Sequence, residues 1–378
     1  MSISTDPHID RGKRAPAGRG AWGLAAAGLS LIAVCYGLAR FSYGLFVPIF
    51  REQFALGGAT AGAIASGSYA AYCIAIVLAM LLTPRWGGRS VAVAAGLVAT
   101  AGTLVVALAP NAAVLAAGVI IAGASTGVAS PPLAHAVTRA VPGPRRDRVQ
   151  TVINAGTGVG VAVAGPVALL THEHWRLAWL AFAALCALVT LWALRSVPGP
   201  RVEVREAEGP TSLPRPLLPL GSGRLISAAL LMGASSAAIW TFGRDLLVTE
   251  GGMSGQASTL GWIVLGIFGV LGAGAGDLAQ RIGLRAGWGA GMLALALSTS
   301  LLAAWPGIIG PAWAALAGFG AAYIALTGFL LLWGTAVHAR HPALGVGTAF
   351  LMVALGQALA APVIGALGVA GHDVVDTA

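Results

Sequence analysis

Lysine is almost absent from this sequence: Lys13 is the single one among 378 residues. That excludes a Walker A loop, whose lysine must follow the glycine turn to reach nucleotide phosphates. Charge of either sign is scarce as well. Only 9% of residues are charged, against about 25% in soluble domains. Cysteine is limited to Cys35, Cys73 and Cys186. Each lies inside an apolar run with no partner at metal-ligand spacing, so no metal site or disulfide framework is implied. They read as small core residues. His172 and His174 flank Glu173 in a short polar segment, a spacing common in solvated loops.

What the chain does have is apolar surface. Hydrophobic residues make up 57% of it, and the mean hydropathy is +0.83. One water-solvated core could not hide that much, so lipid is the expected solvent. The 54 glycines lie inside the apolar runs without a three-residue period. In membrane helices such residues permit close backbone approach. The net charge of +9 does not point to nucleic acid, because the basic residues are scattered over short loops with no aromatic-interleaved patch. A catalytic centre within the bilayer would need grouped His, Asp, Glu or Cys on facing spans. None is grouped so, and neither enzyme activity nor any metal or cofactor is expected.

A helix needs about 20 apolar residues to cross the hydrocarbon core. Apolar runs separated by loop breakers give eleven candidates: 22–49, 59–83, 90–109, 112–138, 150–171, 176–196, 224–248, 256–279, 286–305, 311–336 and 344–368. The first is too long for the apolar region of a cleaved signal. Eighteen of the 22 Lys and Arg residues fall on one side of this topology, and Arg51 and Arg176 alone are expected in loops on the other. The positive-inside rule therefore predicts a cytoplasmic N-terminus. With the GC-rich residue bias (abundant Ala, Gly and Arg), the expected location is a bacterial inner membrane. Residues 1–21 read as a cytoplasmic tail, 22–196 as a six-helix bundle, 197–223 as a cytoplasmic linker and 224–378 as a second bundle of about five helices.

The two halves repeat. Arg85, Gly87 and Arg89 match Arg281, Gly283 and Arg285, each 196 residues on. Gly160 and Pro166 match Gly356 and Pro362 at the same offset, and Phe41-Ser42-Tyr43-Gly44 is similar to Trp240-Thr241-Phe242-Gly243 at an offset of 199. An offset of six spans makes both copies cross in the same direction, a parallel repeat. The stretch Gly276-Asp277-Leu278-Ala279-Gln280-Arg281-Ile282-Gly283-Leu284-Arg285 closely resembles the loop motif of the major facilitator superfamily, G-x-L-A-D-R-x-G-R-R. The first-half copy is degenerate, with Pro84 in place of the acid. Gly165-Pro166 in the fifth span loosely resembles the antiporter signature of efflux members, although its glycine spacing departs from that pattern. Gly123 stands near the place of the family's buried arginine in the fourth span.

The resemblance implies an all-α polytopic fold of two six-helix bundles related by a parallel pseudo-two-fold. It implies alternating-access transport of a small organic solute through a cavity between spans one, four, seven and ten, by a monomer in the lipid bilayer, with efflux suggested by the fifth span. Adding 196 residues to the sixth span places a twelfth at about 372–392, whereas the sequence stops at Ala378. The expectation is an eleven-span chain with the last helix missing. The alternative is a transport-incompetent or sensor-like protein.

Few residues could carry the chemistry. A charge at mid-membrane costs roughly 2.5–3.5 kcal/mol on insertion scales and needs a partner or a wet cavity. Arg40, Arg244 and Asp245 are the three. Tyr36, Arg40 and Tyr43 share a helical face by spacing, so Arg40 reads either as a substrate contact or as a snorkelling tie between helices. An Arg40–Asp245 ion pair that opens on protonation is the expected coupling device, or else a static pair. Asn154, Thr157, Thr241, Trp262, Tyr323, Thr327 and Gln357 line the cavity or hydrogen-bond between helices. Asp277 with Arg281 is expected to latch the cytoplasmic face. Gly156-x-x-x-Gly160 and Gly272-x-x-x-Gly276 read as helix-packing motifs, and Pro166 and Pro362 as kinks.

Overall fold

In the computed structural model, residues 17–171, 174–199, 218–339 and 341–375 are described. Most of the tail, linker residues 200–217, His172, Glu173 and the last three residues lie outside them.

Among the described residues, ten helices are long and apolar enough to cross a membrane. One of them, Gly58–Ala107, has 50 residues. At 1.5 Å per residue that is about 75 Å, enough for two crossings. It breaks at Gly87, where φ is 78° and ψ 156°, so the described residues hold eleven spans. We label them α1 (Ala21–Phe54), α2 (58–86), α3 (88–107), α4 (Ala112–Ala140), α5 (Arg145–Thr171) and α6 (Trp175–Ser196). The second half comprises α7 (Ser222–Thr249), α8 (Gly255–Ile282), α9 (Leu284–Ala304), α10 (Ile309–Val337) and α11 (Pro342–Val375). The eleven runs expected from sequence match these with ends shifted by a few residues. Helix α1 continues to Phe54, past its expected end, and takes Arg51 into its last turn. Arg51 is therefore a helical residue, and its expected loop position is corrected.

Local sequence explains the ends. Asn111 caps α4, its side chain accepting from the Val114 amide at 3.0 Å, and Ser254 caps α8 through the Ala257 amide at 3.2 Å; each satisfies an amide left over in the first turn. Ala33–Phe41 in α1 winds as a π-helix. There the Ser42 amide and hydroxyl both reach back to the Gly37 carbonyl, the hydroxyl at 3.0 Å. Such i→i+5 stretches are rare and frequent at functional sites. In α5 the helix breaks at Ala155, ahead of Pro166; helices run on past both Pro166 and Pro362.

The loops carrying Arg85, Arg139 and Arg281 mark one end of the bundle, called here the basic side. The halves meet along two antiparallel helix pairs. Helix α2 runs against α11, with the Ser66 hydroxyl donating to the Ala358 carbonyl at 2.8 Å and Gly62 facing Ala361 and Pro362. In the same way α5 runs against α8, where Gly158 faces Gly266 and Gly269, and Thr151 donates to the Ala273 carbonyl at 3.0 Å. The repeat maps α2 onto α8 and α5 onto α11, so the two seams exchange under it. Small residues at both seams let backbones touch. Within the first half, Gly156 and Gly160 seat α5 against Leu29, Ala33 and Gly37 of α1. A side chain at either position would overlap the α1 backbone.

Candidate functional site

Near the middle of α1, Arg40 is buried at 5% exposure. Its guanidinium carbon lies 4.6 Å from the ring centre of Tyr72, 4.7 Å from Tyr69, 4.8 Å from Phe41 and 5.9 Å from Tyr36. Cation–π contacts contribute roughly 0.5–2 kcal/mol each, which offsets much of the cost of a charge at this depth. One Arg40 amino group donates to the Gln357 side-chain oxygen of α11. Its Nε has no hydrogen-bond partner among the described residues. Gln357 in turn donates to Ser236 at 3.2 Å and Tyr323 at 3.4 Å. Tyr36 hydrogen-bonds Tyr72 at 3.0 Å and Ser130 at 2.8 Å.

Asn154 completes the cluster, its amide donating to Thr327 at 2.9 Å and to the Ile324 carbonyl at 3.2 Å of α10. Together Tyr36, Arg40, Asn154, Thr157, Tyr323 and Thr327 enclose a central space of only about 10 Å³. The centre is packed shut in this conformation.

A second site lies toward the side opposite the basic loops, where α1 and α7 converge. Phe41 stacks on Trp240 with ring centres 3.7 Å apart. Gly44 is pressed against the Trp240 carbonyl, so no Cβ would fit there. Arg244 donates from Nε to Ser258 at 3.1 Å, and its amino groups reach the Leu45 carbonyl at 2.5 Å and the Gly255 carbonyl at 3.3 Å. Asp245 forms an ion pair with Arg51. Outside this closure lies an open vestibule of about 570 Å³ lined by Ile49, Arg51, Glu52, Arg244, Asp245 and Val248.

Three sequence expectations change. The Arg40–Asp245 pair does not form: Asp245 takes Arg51, the residue assigned to a loop, and Arg40 takes a neutral amide and four rings. Tyr43 does not share the Arg40 face. It packs on Phe50 and donates to the Ala61 carbonyl at 2.9 Å. The π stretch is the cause, because each of its turns takes an extra residue and rotates the rest of the helix relative to α-helical spacing. Asp277 and Arg281 are both exposed, and no ion pair joins them among the described residues. Gly276, by contrast, closes on the Asp147 carbonyl and Thr151 of α5. Arg89 holds the Val197 carbonyl at 2.6 Å, tying the first loop to the end of α6, while Arg85 and Arg285 are exposed.

Thr241 bonds Tyr69 at 3.1 Å across the halves. Sequence reasoning passed over Tyr69, Tyr72, Phe41 and Trp240. One signal was available: the chain has five tyrosines, and four of them surround Arg40 and Gln357.

Two antiparallel seams, a shared central polar cluster and eleven lipid-length helices define a polytopic membrane protein of the transporter class. The description "Major Facilitator Superfamily" matches residues 29–368, and the chain belongs to that family. Among solved structures it is similar to a bacterial homologue of the human lysosomal transporter Spinster in its inward-facing, occupied conformation. That likeness has a TM-score of 0.67 at 17% identity, over 93% of this chain and 82% of the other. A mutant of the nucleoside transporter NupG gives 0.65 at 14% identity, over 90% of each. These likenesses concern the fold. A chloramphenicol efflux pump of Mycobacterium tuberculosis, strains CDC 1551 / Oshkosh and ATCC 25618 / H37Rv, is 35% identical over 118 residues, 31% of this chain. The match spans 29% of the pump's own length.

Proposed function

We propose that this protein is a secondary transporter that moves a small organic solute through the centre of the fold by alternating access, with its basic side at the cytoplasm of a bacterial inner membrane. The observation that carries the reading is the cross-half cluster at Arg40, Gln357, Asn154 and Thr327. A buried polar cluster between two bundles is expensive to maintain in lipid and gains a use when the bundles part around a solute. The α1–α7 closure, with Arg51–Asp245 and Arg244 on the Leu45 carbonyl, acts as the gate on the far side. Protonation of Asp245 removes one charge of the ion pair, so protons arriving in the vestibule loosen the gate; this is the coupling route. Asp277 and the Arg281 loop serve the basic-side closure through Gly276, which meets Asp147 and Thr151 of α5, and the Arg85 loop serves it from the first half. The protein works as a monomer without a cofactor.

Efflux is the favoured direction, supported by the partial match to the chloramphenicol pump.

Alternating access is testable without a substrate. With Cys35, Cys73 and Cys186 replaced, Thr157→Cys should react with a membrane-impermeant maleimide added from either side. Cross-linking Arg51→Cys to Asp245→Cys should abolish labelling from the far side and retain it from the basic side. A centre that reacts from neither side would overturn the reading.

A further inference from the structure

The charge balance at the centre of the fold is incomplete. Arg40 is 95% buried by its 5% exposure, and its one acceptor among the described residues is the neutral side-chain oxygen of Gln357. Its Nε–H is left with no acceptor. Asp245, the acid of α7, is engaged by Arg51 toward the far side. Among the described residues no acid pairs with this charge, one of its donors is free, and the walls are largely aromatic: Tyr36, Tyr69, Tyr72 and Tyr323, with Phe350 beside Tyr36 at 6.5 Å between ring centres.

We infer that, when this closed centre opens to either side, the site takes an aromatic carboxylate, whose two oxygens accept from Nε and an amino group of Arg40 in place of Gln357 and whose ring lies among the tyrosines. A guanidinium presents neighbouring N–H groups in a fork that fits a carboxylate with two parallel bonds. A planar apolar body fits a wall of aromatic faces. A carboxylate would neutralise the charge that the amide oxygen only solvates. A neutral amide of the same shape offers one oxygen and no charge, and a cation meets repulsion, so the site discriminates on charge before shape. Gln357 is the internal competitor: it holds Arg40 when the site is empty and, once displaced, keeps its bonds to Ser236 and Tyr323.

This inference deepens the transport reading by naming the solute class, and rests on it for the purpose of binding but not for its test. Isothermal titration of the purified full chain with benzoate, benzamide and benzylamine decides it. Benzoate should bind, and the two isosteres should bind at least tenfold more weakly. Arg40→Gln should weaken benzoate tenfold or more, and Arg40→Lys less than that. Gln357→Ala should strengthen benzoate several-fold, since it removes the competing acceptor; a purely structural Arg40–Gln357 tie gives no such gain. The inference is overturned if benzoate does not bind, if benzamide matches it, or if Arg40→Gln binds it unchanged. Should Arg40→Gln fail to fold, unchanged or weaker binding by Gln357→Ala overturns it. Two-sided maleimide labelling at Thr157→Cys without benzoate binding would sink this inference alone. Benzoate binding without two-sided labelling would sink the transport reading alone.

Discussion

Gly87 and Gly283, 196 residues apart, hold the same unusual backbone conformation, with φ 78° and ψ 156° at the first and φ 83° and ψ 152° at the second. Each stands where the chain leaves one span and enters the next on the basic side. This region of dihedral space is essentially restricted to glycine, and forcing another residue into it costs about 1–3 kcal/mol. Both glycines therefore turn the chain between spans, whatever else the loop motif does. A methyl group at Gly283 would strike no neighbour, so strain is the whole effect there. Gly283→Ala and Gly87→Ala should each lower thermal stability in detergent by an amount corresponding to about 1–3 kcal/mol. Unchanged melting in both variants would show that the turn accepts ordinary residues.

The Arg51–Asp245 pair yields a prediction about the proposed gate. Arg51 is 32% exposed at its side chain and Asp245 9%. Exposed pairs contribute about 0.2–1 kcal/mol, whereas breaking a fully buried one costs about 3–5 kcal/mol, so this pair belongs between. A double-mutant cycle with Arg51→Gln and Asp245→Asn should give a coupling of about 1–2 kcal/mol. Asp245→Asn should also raise far-side maleimide labelling at Thr157→Cys and make it insensitive to pH, because the titrating carboxylate is gone. In the unmodified gate the same labelling should increase as the far-side medium is acidified. Labelling of Asp245→Asn that still tracks pH would remove Asp245 from the coupling route.

The contrast between these two sites shows how far the sequence could be read. Spans and basic side come from hydropathy and charge placement, which are properties of runs of residues, and the parallel repeat from matching residues such as Gly87 and Gly283 at a fixed offset. Of the residues chosen around the cavity, Arg40, Gln357, Tyr323 and Asn154 converge in the structure. The partners were harder. Arg51 looked like a loop residue because the apolar run stops near Phe50, yet α1 continues for another turn. Tyr43 was placed with Arg40 by α-helical spacing, which the π stretch at Ala33–Phe41 invalidates. Tyr69 and Tyr72 lie in a run of small and apolar residues on α2, and only the packing of α2 against α1 brings them over Arg40.

The seam between α5 and α8 should tolerate little. A Cβ at Gly158 would lie 2.7 Å from the Gly269 carbonyl carbon and 2.8 Å from the Gly266 oxygen. Real Cβ atoms do not approach so closely, and both obstacles are backbone. Gly158→Val should therefore push α5 and α8 apart rather than repack a side chain. The expected outcome is a folded protein in which Thr157→Cys is labelled faster from the basic side. Gly158→Val with unchanged labelling from both sides would mean that the seam opens freely without consequence.

Asn154 separates a structural from a transport role at one position. Its amide bridges α5 to Thr327 and the Ile324 carbonyl of α10. Hydrogen bonds between membrane helices average about 0.6 kcal/mol and reach at most about 1.7 kcal/mol, because the separated helices find other partners. Asn154→Ala should thus cost about that much in stability, a small change in melting temperature. Its effect on conformational exchange should be larger, since the bridge joins the two halves next to the central space and must break each time they part. Exchange between the two labelling patterns at Thr157→Cys should speed up several-fold in Asn154→Ala, with melting nearly unchanged. A large loss of stability with unaltered exchange would make Asn154 a packing residue and move the moving contact elsewhere along α5.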